Sequence, residues 1–315
     1  METADLLAPQ FTDEDSARTF LESKRWPNGP VCPHCNFKGQ SYRIEPKPGS
    51  KTRKGLLKCG ACREQFSVTV GTIMEDSHIP LNKWLLAFHL LCASKKGMSA
   101  HQLHRMLGVT YKSAWFMAHR IRYAMTQEPL SSKLRGVVEV DEAYIGGKQR
   151  GVRGLNPEGS NKVPVISMVE RSLVTRKGRV RSFPVERVTV ENLKPILKEH
   201  ITAGTTLNTD EAVVYFFCQD EFPNHDVVTH SKQEYVRIQD GRKVTTNTVE
   251  GYFGNLKRGL NGVYHHVDKQ HLHRYLSEFD FRYNAREVSD VERRNLALAG
   301  IEGKRLTYRD SCKKA

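Results

Sequence analysis

The spacing of apolar side chains changes along the chain, and each change marks a segment. In "TDEDSARTFLESKR" (12–25), Ala17, Phe20 and Leu21 fall on one helical stripe, with Thr12 or Asp13 at the N-cap. The next stretch loses that period. "WPNGPVCPHC" is rich in turn residues, and "QSYRI" and "KGLLKC" read as short strands joined by a Pro/Gly/Lys loop. From Leu81 to about Gln127 helical spacing returns. "LNKWLLAFHLLCASKK" predicts a helix with Gly97 as its C-cap, and Ser99 caps "AHQLHRMLG". A turn at Gly108 and Val109 then leads into "TYKSAWFMAHRIRYAM", beginning at Thr110.

After a linker over 128–135 the period becomes two. In "GVVEVDEAYIGGK" (136–148), Val137, Val138 and Val140 favour a half-buried strand, and alternation puts Glu139 and Asp141 on one face and Val138 and Val140 on the other. "NKVPVISMVERS" and "RVRSFPVERVTV" continue as two strands meeting at "TRKG". "ENLKPILKEHI" predicts a helix, "TTLNTD" a fourth strand ending in Asp210, "EAVVYFFCQ" a helix, "HDVVTH" a fifth strand, and a last helix starts near Asn247. That order is an α/β layout with a mixed sheet, in which the first and fourth strands can lie side by side.

Composition narrows the partners. The 315 residues carry a formal net charge of +14 spread along the chain, which points to a polyanion, nucleic acid first, as partner. The longest apolar run, "WLLAFHLLCA", is too short for a bilayer, and the acidic start lacks the order of a signal peptide, so no membrane is expected and the expected location is cytoplasmic. Of seven cysteines, Cys32 with Cys35 and Cys59 with Cys62 form two C-x2-C pairs; Cys92, Cys218 and Cys312 are scattered singly. Four thiolates in two knuckles suit one tetrahedral Zn2+, a closed site that folds its domain and leaves chemistry to other residues.

Three acidic positions remain. A carboxylate closing a core strand needs compensation, whether by solvent at a sheet edge or by a cation. Asp141 and Asp210, brought together on neighbouring strands, would repel unless a divalent cation lay between them, and hard oxygen ligands suit Mg2+. Glu250 and Lys257, seven residues apart, share a face if "TTNTVEGYFGNLKRGLNG" is helical, with Arg258 beside Lys257 as a further phosphate contact. Glu250 has two readings: a metal ligand, or the partner of Asn247 in a capping box. The pair "AHQLHRMLG" and "TYKSAWFMAHRIRYAM" reads as helix-turn-helix, its second helix offering Lys112, Arg120 and Arg122 to DNA. The histidines of "YHHVDKQHLHRY" (264–275) fit a packing or DNA-facing surface better than a metal site, and the basic hairpin 171–181 reads as a solvated turn or a phosphate contact.

"VVEVDEAYIGGK", "LNTD" and "TNTVEGYFGNLKRGLNGVYHHVDKQHLHRYLSEFDFRYNAR" resemble the catalytic blocks of bacterial insertion-sequence transposases that carry an RNase H-like DDE domain behind a zinc ribbon. "TFLESKRWPNGPVCPHC" and "FSVTVGTIMEDSHIPLNKWLLAFHLL" resemble the same branch. The resemblance implies Asp141, Asp210 and Glu250 as catalytic metal ligands, with Lys257 as the basic residue further along. In this branch an Asn sometimes holds the third position, so Asn247 stands as the alternative. It also implies two Mg2+, replaceable by Mn2+, double-stranded DNA as partner (transposon ends and target), and a homo-oligomer assembled on DNA near the nucleoid. Glu139 and Glu142 are expected to support the metal ligands from behind or to be solvated. The expected division is an N-terminal helical segment (1–27), zinc ribbon (28–80), helix-turn-helix (81–127), RNase H-like domain (135–290) and C-terminal tail (291–315). A transposase-derived DNA-binding regulator and a metal-dependent nuclease without strand transfer are the alternative functions.

Overall fold

The computed structural model describes residues 6–126, 133–147, 162–171 and 178–309. Cys312, most of the 128–135 linker, Lys148 and the start of the "TRKG" turn lie outside the described residues. The chain forms two compact units, Met1–Thr126 with Val288–Ala315, and Gln127–Glu287.

The first unit opens with a short helix α1 (Pro9–Thr12) that the apolar pattern did not reveal, followed by α2 (Glu14–Arg25), capped by Asp13 through the N–H of Ser16. A small antiparallel sheet follows, β1 (Ser41–Ile44), β2 (Leu56–Cys59) and β3 (Gln65–Phe66), in the order β1-β2-β3. Then come α3 (Leu81–Ala93), α4 (Ala100–Leu107) and α5 (Tyr111–Met125). Ser99 caps α4 as read from the sequence, Thr110, where the next helix was expected to begin, is the N-cap of α5, and Gly108 ends α4 in the left-handed conformation (φ 57°). Gly97 is not the cap of α3: that helix stops at Ala93 with Ser94 as C-cap.

The second unit is built on a five-stranded sheet. Its strands are β4 (Val137–Ile145), β5 (Val163–Arg171), β6 (Val180–Pro184), β7 (Thr206–Asp210) and β8 (Asn224–Val228), with α6 (Val190–His200) between β6 and β7 and a short α7 (Cys218–Glu221) before β8. The order is β6-β5-β4-β7-β8; the first three strands are antiparallel, and β7 runs parallel to both β4 and β8. "EAVVYFFCQ" is a 3-10 turn at Val213–Tyr215 plus α7, not one helix. A hairpin that the sequence reading did not predict, β9 (Arg237–Gln239) and β10 (Arg242–Val244), precedes α8 (Asn247–Gly259) and α9 (Leu272–Asn284).

β4 separates two apolar cores. Val138 and Val140 pack with Leu193, Leu197, Leu207 and Tyr215 on the α6 side. Ala143 and Ile145 pack with Val249, Tyr252, Phe253 and Phe279 on the side of α8 and α9. The alternation along the strand therefore puts Glu139 and Asp141 on the α8 side. "YHHVDKQHLHRY" contributes to this second core: Tyr275 is buried and meets the Tyr264 ring edge-on at 4.8 Å, so the segment is a packing surface in part.

Residues 288–309 do not behave as a tail. A tenth helix, α10 (Asp290–Ala299), starts with a complete Ser289/Glu292 capping box and packs on α3, α5 and α2 of the first unit. Arg294 is buried there with its guanidinium over the rings of Phe11 and Phe20, and Ile301 and Leu306 are buried as well.

Two residues predicted to contact DNA are enclosed in the same unit. Arg120 and Arg122 lie in the enclosed second half of α5, 6% and 2% exposed. Arg120 donates to the carbonyls of Leu306 and Glu75, both at 3.0 Å. Side chains this enclosed present almost no surface outward, so neither arginine is displayed to solvent as the sequence reading expected. The exposed part of α5 is its first turn, Tyr111 and Lys112, where Lys112 sits 4.3 Å over the Tyr308 ring and His101 stacks on Tyr111.

Candidate active site

The four cysteines converge. Their sulfurs all lie within 4.8 Å of one another, with Cys32–Cys62 and Cys35–Cys59 each 3.7 Å apart. A tetrahedron with Zn–S bonds of about 2.3 Å has edges of about 3.8 Å, so the donor set fits zinc. Both knuckles share one backbone plan. The N–H of Cys32 donates to Phe37 O and that of Cys59 to Glu64 O, and the residue after each second cysteine, Asn36 or Arg63, takes a positive φ. No disulfide joins any described cysteine.

The acids are placed by strand register. Val137, Val138 and Glu139 pair in parallel with Thr206, Leu207 and Asn208. Carried two residues further, the same register sets Asp141, in the middle of β4, level with Asp210, the last residue of β7. Burial pushes the Asp141 carboxyl up to about 7, and the charges of Glu142, Asp210 and Glu250 push the same way, against one backbone N–H from Glu142 that lowers it. Asp210 accepts from the N–H of Ala212 at 3.0 Å. Glu142 points to the other side of β4, where the hydroxyl of the fully buried Tyr215 donates to it at 2.6 Å.

Glu250 stands on α8 beside the pair. Its Oε1 accepts from the Thr246 hydroxyl at 3.1 Å and lies 3.3 Å from His230 Nε2, with the side chain 44% exposed. Thr246, not Asn247, is the N-cap of α8, so the proposed Asn247/Glu250 capping box is not formed. Asn247 is exposed at the first helical position, its N–H donating to Thr245 Oγ1. Lys257 and Arg258 are exposed near the other end of the helix, Arg258 donating to Asn255. Among the described residues, the cysteines are the only group of three or more Cys, His, Asp or Glu with ligand atoms within 4.8 Å of one another; the acids are set more openly.

Two side chains not assigned from sequence, His230 and Tyr215, join this region, and so does Glu139, which was expected behind the metal ligands or in solvent. Glu139 is wholly buried and accepts from the backbone N–H groups of Thr248 and Val249. Its pKa is raised by burial, against those N–H groups, the Thr248 hydroxyl and Arg171. Strand alternation with Asp141 is the signal in the sequence that puts Glu139 on this face; nothing local marks His230 or Tyr215.

Residues 133–284 match the ISXO2-like transposase domain, and residues 12–65 match the transposase zinc-ribbon domain. The chain belongs to the insertion-sequence transposases with a zinc ribbon and a DDE domain. It is 27% identical over 290 residues to an "Uncharacterized protein in transposable element ISH50" of Halobacterium salinarum, covering 86% of this chain and 91% of that relative. No solved structure matches the chain. The DDE domain implies the RNase H-like fold, and the mixed β6-β5-β4-β7-β8 sheet agrees with it. Both domains of this transposase imply DNA binding. Among the described residues, no helix is long and apolar enough to cross a membrane.

Proposed function

We propose that this transposase cuts transposon ends and joins them to target DNA at the acids of the second unit, with Asp141, Asp210 and Glu250 as ligands for Mg2+. The observation that carries this reading is the register of β4 and β7: continued two residues beyond Glu139 and Asn208, it levels Asp141 with Asp210 at the end of β7, and the charges of both Asp210 and Glu250 reach Asp141. The raised pKa of Asp141 fits a cation platform, since its carboxylate has acidic neighbours and no basic partner among the causes that shift it. Bound there, one or two Mg2+ would activate the attacking oxygen and stabilise the leaving one in an in-line displacement.

The chain's own residues do the rest. Asp141 and Asp210 supply hard oxygen donors from a rigid sheet, and Glu250 adds a third from α8. Lys257 and Arg258, exposed on α8, hold phosphates of the bound strand. Water attacks the phosphorus at the element's end, leaving a 3′-hydroxyl and a 5′-phosphate. That 3′-hydroxyl then attacks a target phosphodiester, forming a new one and releasing a target 3′-hydroxyl. End recognition falls to the first turn of α5, since recognition helices read base edges from their N-terminal residues; Tyr111 and Lys112 are the exposed candidates. The working form is a homo-oligomer holding two ends.

The test is a strand-transfer assay on paired DNA ends with Mg2+ or Mn2+. Asp141→Ala and Asp210→Ala should abolish both cleavage and joining while end binding survives. Glu250→Ala should be inactive with a near-native Tm, and Asn247→Ala should keep activity; the reverse pattern gives the third position to Asn247. Nicked ends without joined product would make the chain a nuclease, and end binding without nicking a regulator.

A further inference from the structure

We propose that Glu139, together with its register partner Asn208, is a positioning pair that fixes how far Glu250 stands from Asp141 and Asp210. The proposal rests on the metal-platform reading above and adds the part that sets its spacing. Glu139 and Asn208 face each other across β4 and β7, each two residues before its aspartate. Two residues along a strand is a step of about 6.6 Å, so the pair forms a layer directly beneath the acids.

Both members grip the start of α8. Glu139 accepts from the N–H of Thr248 at 2.7 Å, the Thr248 hydroxyl at 2.9 Å and the N–H of Val249 at 3.1 Å. Asn208 donates from Nδ2 to the carbonyl of Thr245 at 3.2 Å. These are the residues that lead into Glu250. A helix normally satisfies its first N–H groups with its own N-cap side chain. Here the N-cap, Thr246, makes no such bond; its hydroxyl is spent on Glu250. The cap is supplied from the sheet instead, by the strand that carries Asp141.

A carboxylate with no exposed surface is an expensive way to end a helix, which a local Ser or Asp would end more cheaply. What the remote cap adds is a fixed link between the strand of the first acid and the helix of the third. Arg171 steadies it from the other side, its Nε 3.3 Å from Glu139 Oε1 and its Nη1 donating to Lys243 O at 2.9 Å, just before α8. Helix and sheet are thus tied at one point, a single turn from Glu250.

The experiment uses the full zinc-loaded chain and three variants, Glu139→Gln, Glu139→Asp and Thr248→Val. Mn2+ is titrated calorimetrically into protein without DNA, and cleavage of end DNA is followed against Mn2+ concentration. Supports one step behind metal ligands change affinity by about 10- to 100-fold. Glu139→Gln should therefore bind Mn2+ at least about tenfold more weakly and need correspondingly more for half-maximal cleavage, with the rate recovering at saturation. Glu139→Asp keeps the charge but loses reach, and should weaken binding in the same direction. Thr248→Val removes one donor of three, folds independently of the charge question, and should give a smaller shift. End binding should not change in any of them. Wild-type Mn2+ affinity in Glu139→Gln, or in Thr248→Val should the first not fold, overturns the proposal, whatever happens to Tm. A control separates the two readings: if Asp141→Ala binds Mn2+ as tightly as the wild type, the metal platform itself fails.

Discussion

Replacing the first acid should make the metal-free protein more stable. Asp141 sits among Glu142, Asp210 and Glu250, and burial with these charges lifts its pKa from 3.8 to about 7. A folded pKa above the unfolded one means that folding takes up a proton. Below pH of about 4 the group is neutral in both states and adds no penalty. Between about 4 and 7 the unfolded chain ionises first, and stability falls; above about 7 the whole penalty is present. Three pKa units at about 1.36 kcal/mol each give a penalty on the order of 4 kcal/mol. Asp141→Asn keeps the shape and an oxygen that can accept the Glu142 N–H, but it cannot ionise. At pH 8, without divalent cations, it should unfold about 8–16 °C higher, since 1 kcal/mol moves a domain of this size by about 2–4 °C. The assay is calorimetry in EDTA, which strips zinc and leaves the transition of the second unit to be followed by itself. Excess Mg2+ should then raise the wild-type transition and leave that of Asp141→Asn nearly unmoved. Equal pH slopes between 4 and 7 in the two proteins, or an equal response to Mg2+, would refute the reasoning.

Metal analysis should find about one zinc per chain, and chelation should abolish the transition of the first unit, because a four-thiolate ribbon takes its folding energy largely from the ion; a zinc-free chain that melts unchanged would contradict the sulfur geometry. Arg120→Ala should lower stability by about 1–3 kcal/mol through one buried and one part-buried carbonyl left without a donor, with end binding of the folded fraction intact. Lys112→Ala should do the opposite, moving stability by no more than about 1 kcal/mol while weakening end binding and lowering the salt slope by about one. A loss of DNA affinity confined to Arg120→Ala would restore the second half of α5 as the contact surface.

What could be read from the sequence, and what could not, follows one physical line. The cysteine spacing and the alternation in "VVEVDEA" are local patterns, and local geometry realised them: two knuckles, and a strand with Val138 and Val140 on one face and Glu139 and Asp141 on the other. The pairing of strands one and four followed from element order, because a helix such as α6 between strands permits a parallel return. Arg120 and Arg122 are buried for a non-local reason. Helical periodicity says which side chains share a face, not what a segment 170 or more residues later will cover, and α10 with Leu306 covers that face. Glu250 shows the same limit in reverse. Three residues after Asn247 it looked like half of a capping box, yet the start of α8 is capped from Glu139, 109 residues earlier. A cap that comes from across the fold leaves no local signature, and it frees Thr246 to hold the very carboxylate that the local pattern would have used up. The ambiguity about Glu250 was therefore not a shortage of pattern in its own segment. The deciding residue was Glu139, the acid in the opening strand that the sequence could place only behind the metal ligands or in solvent.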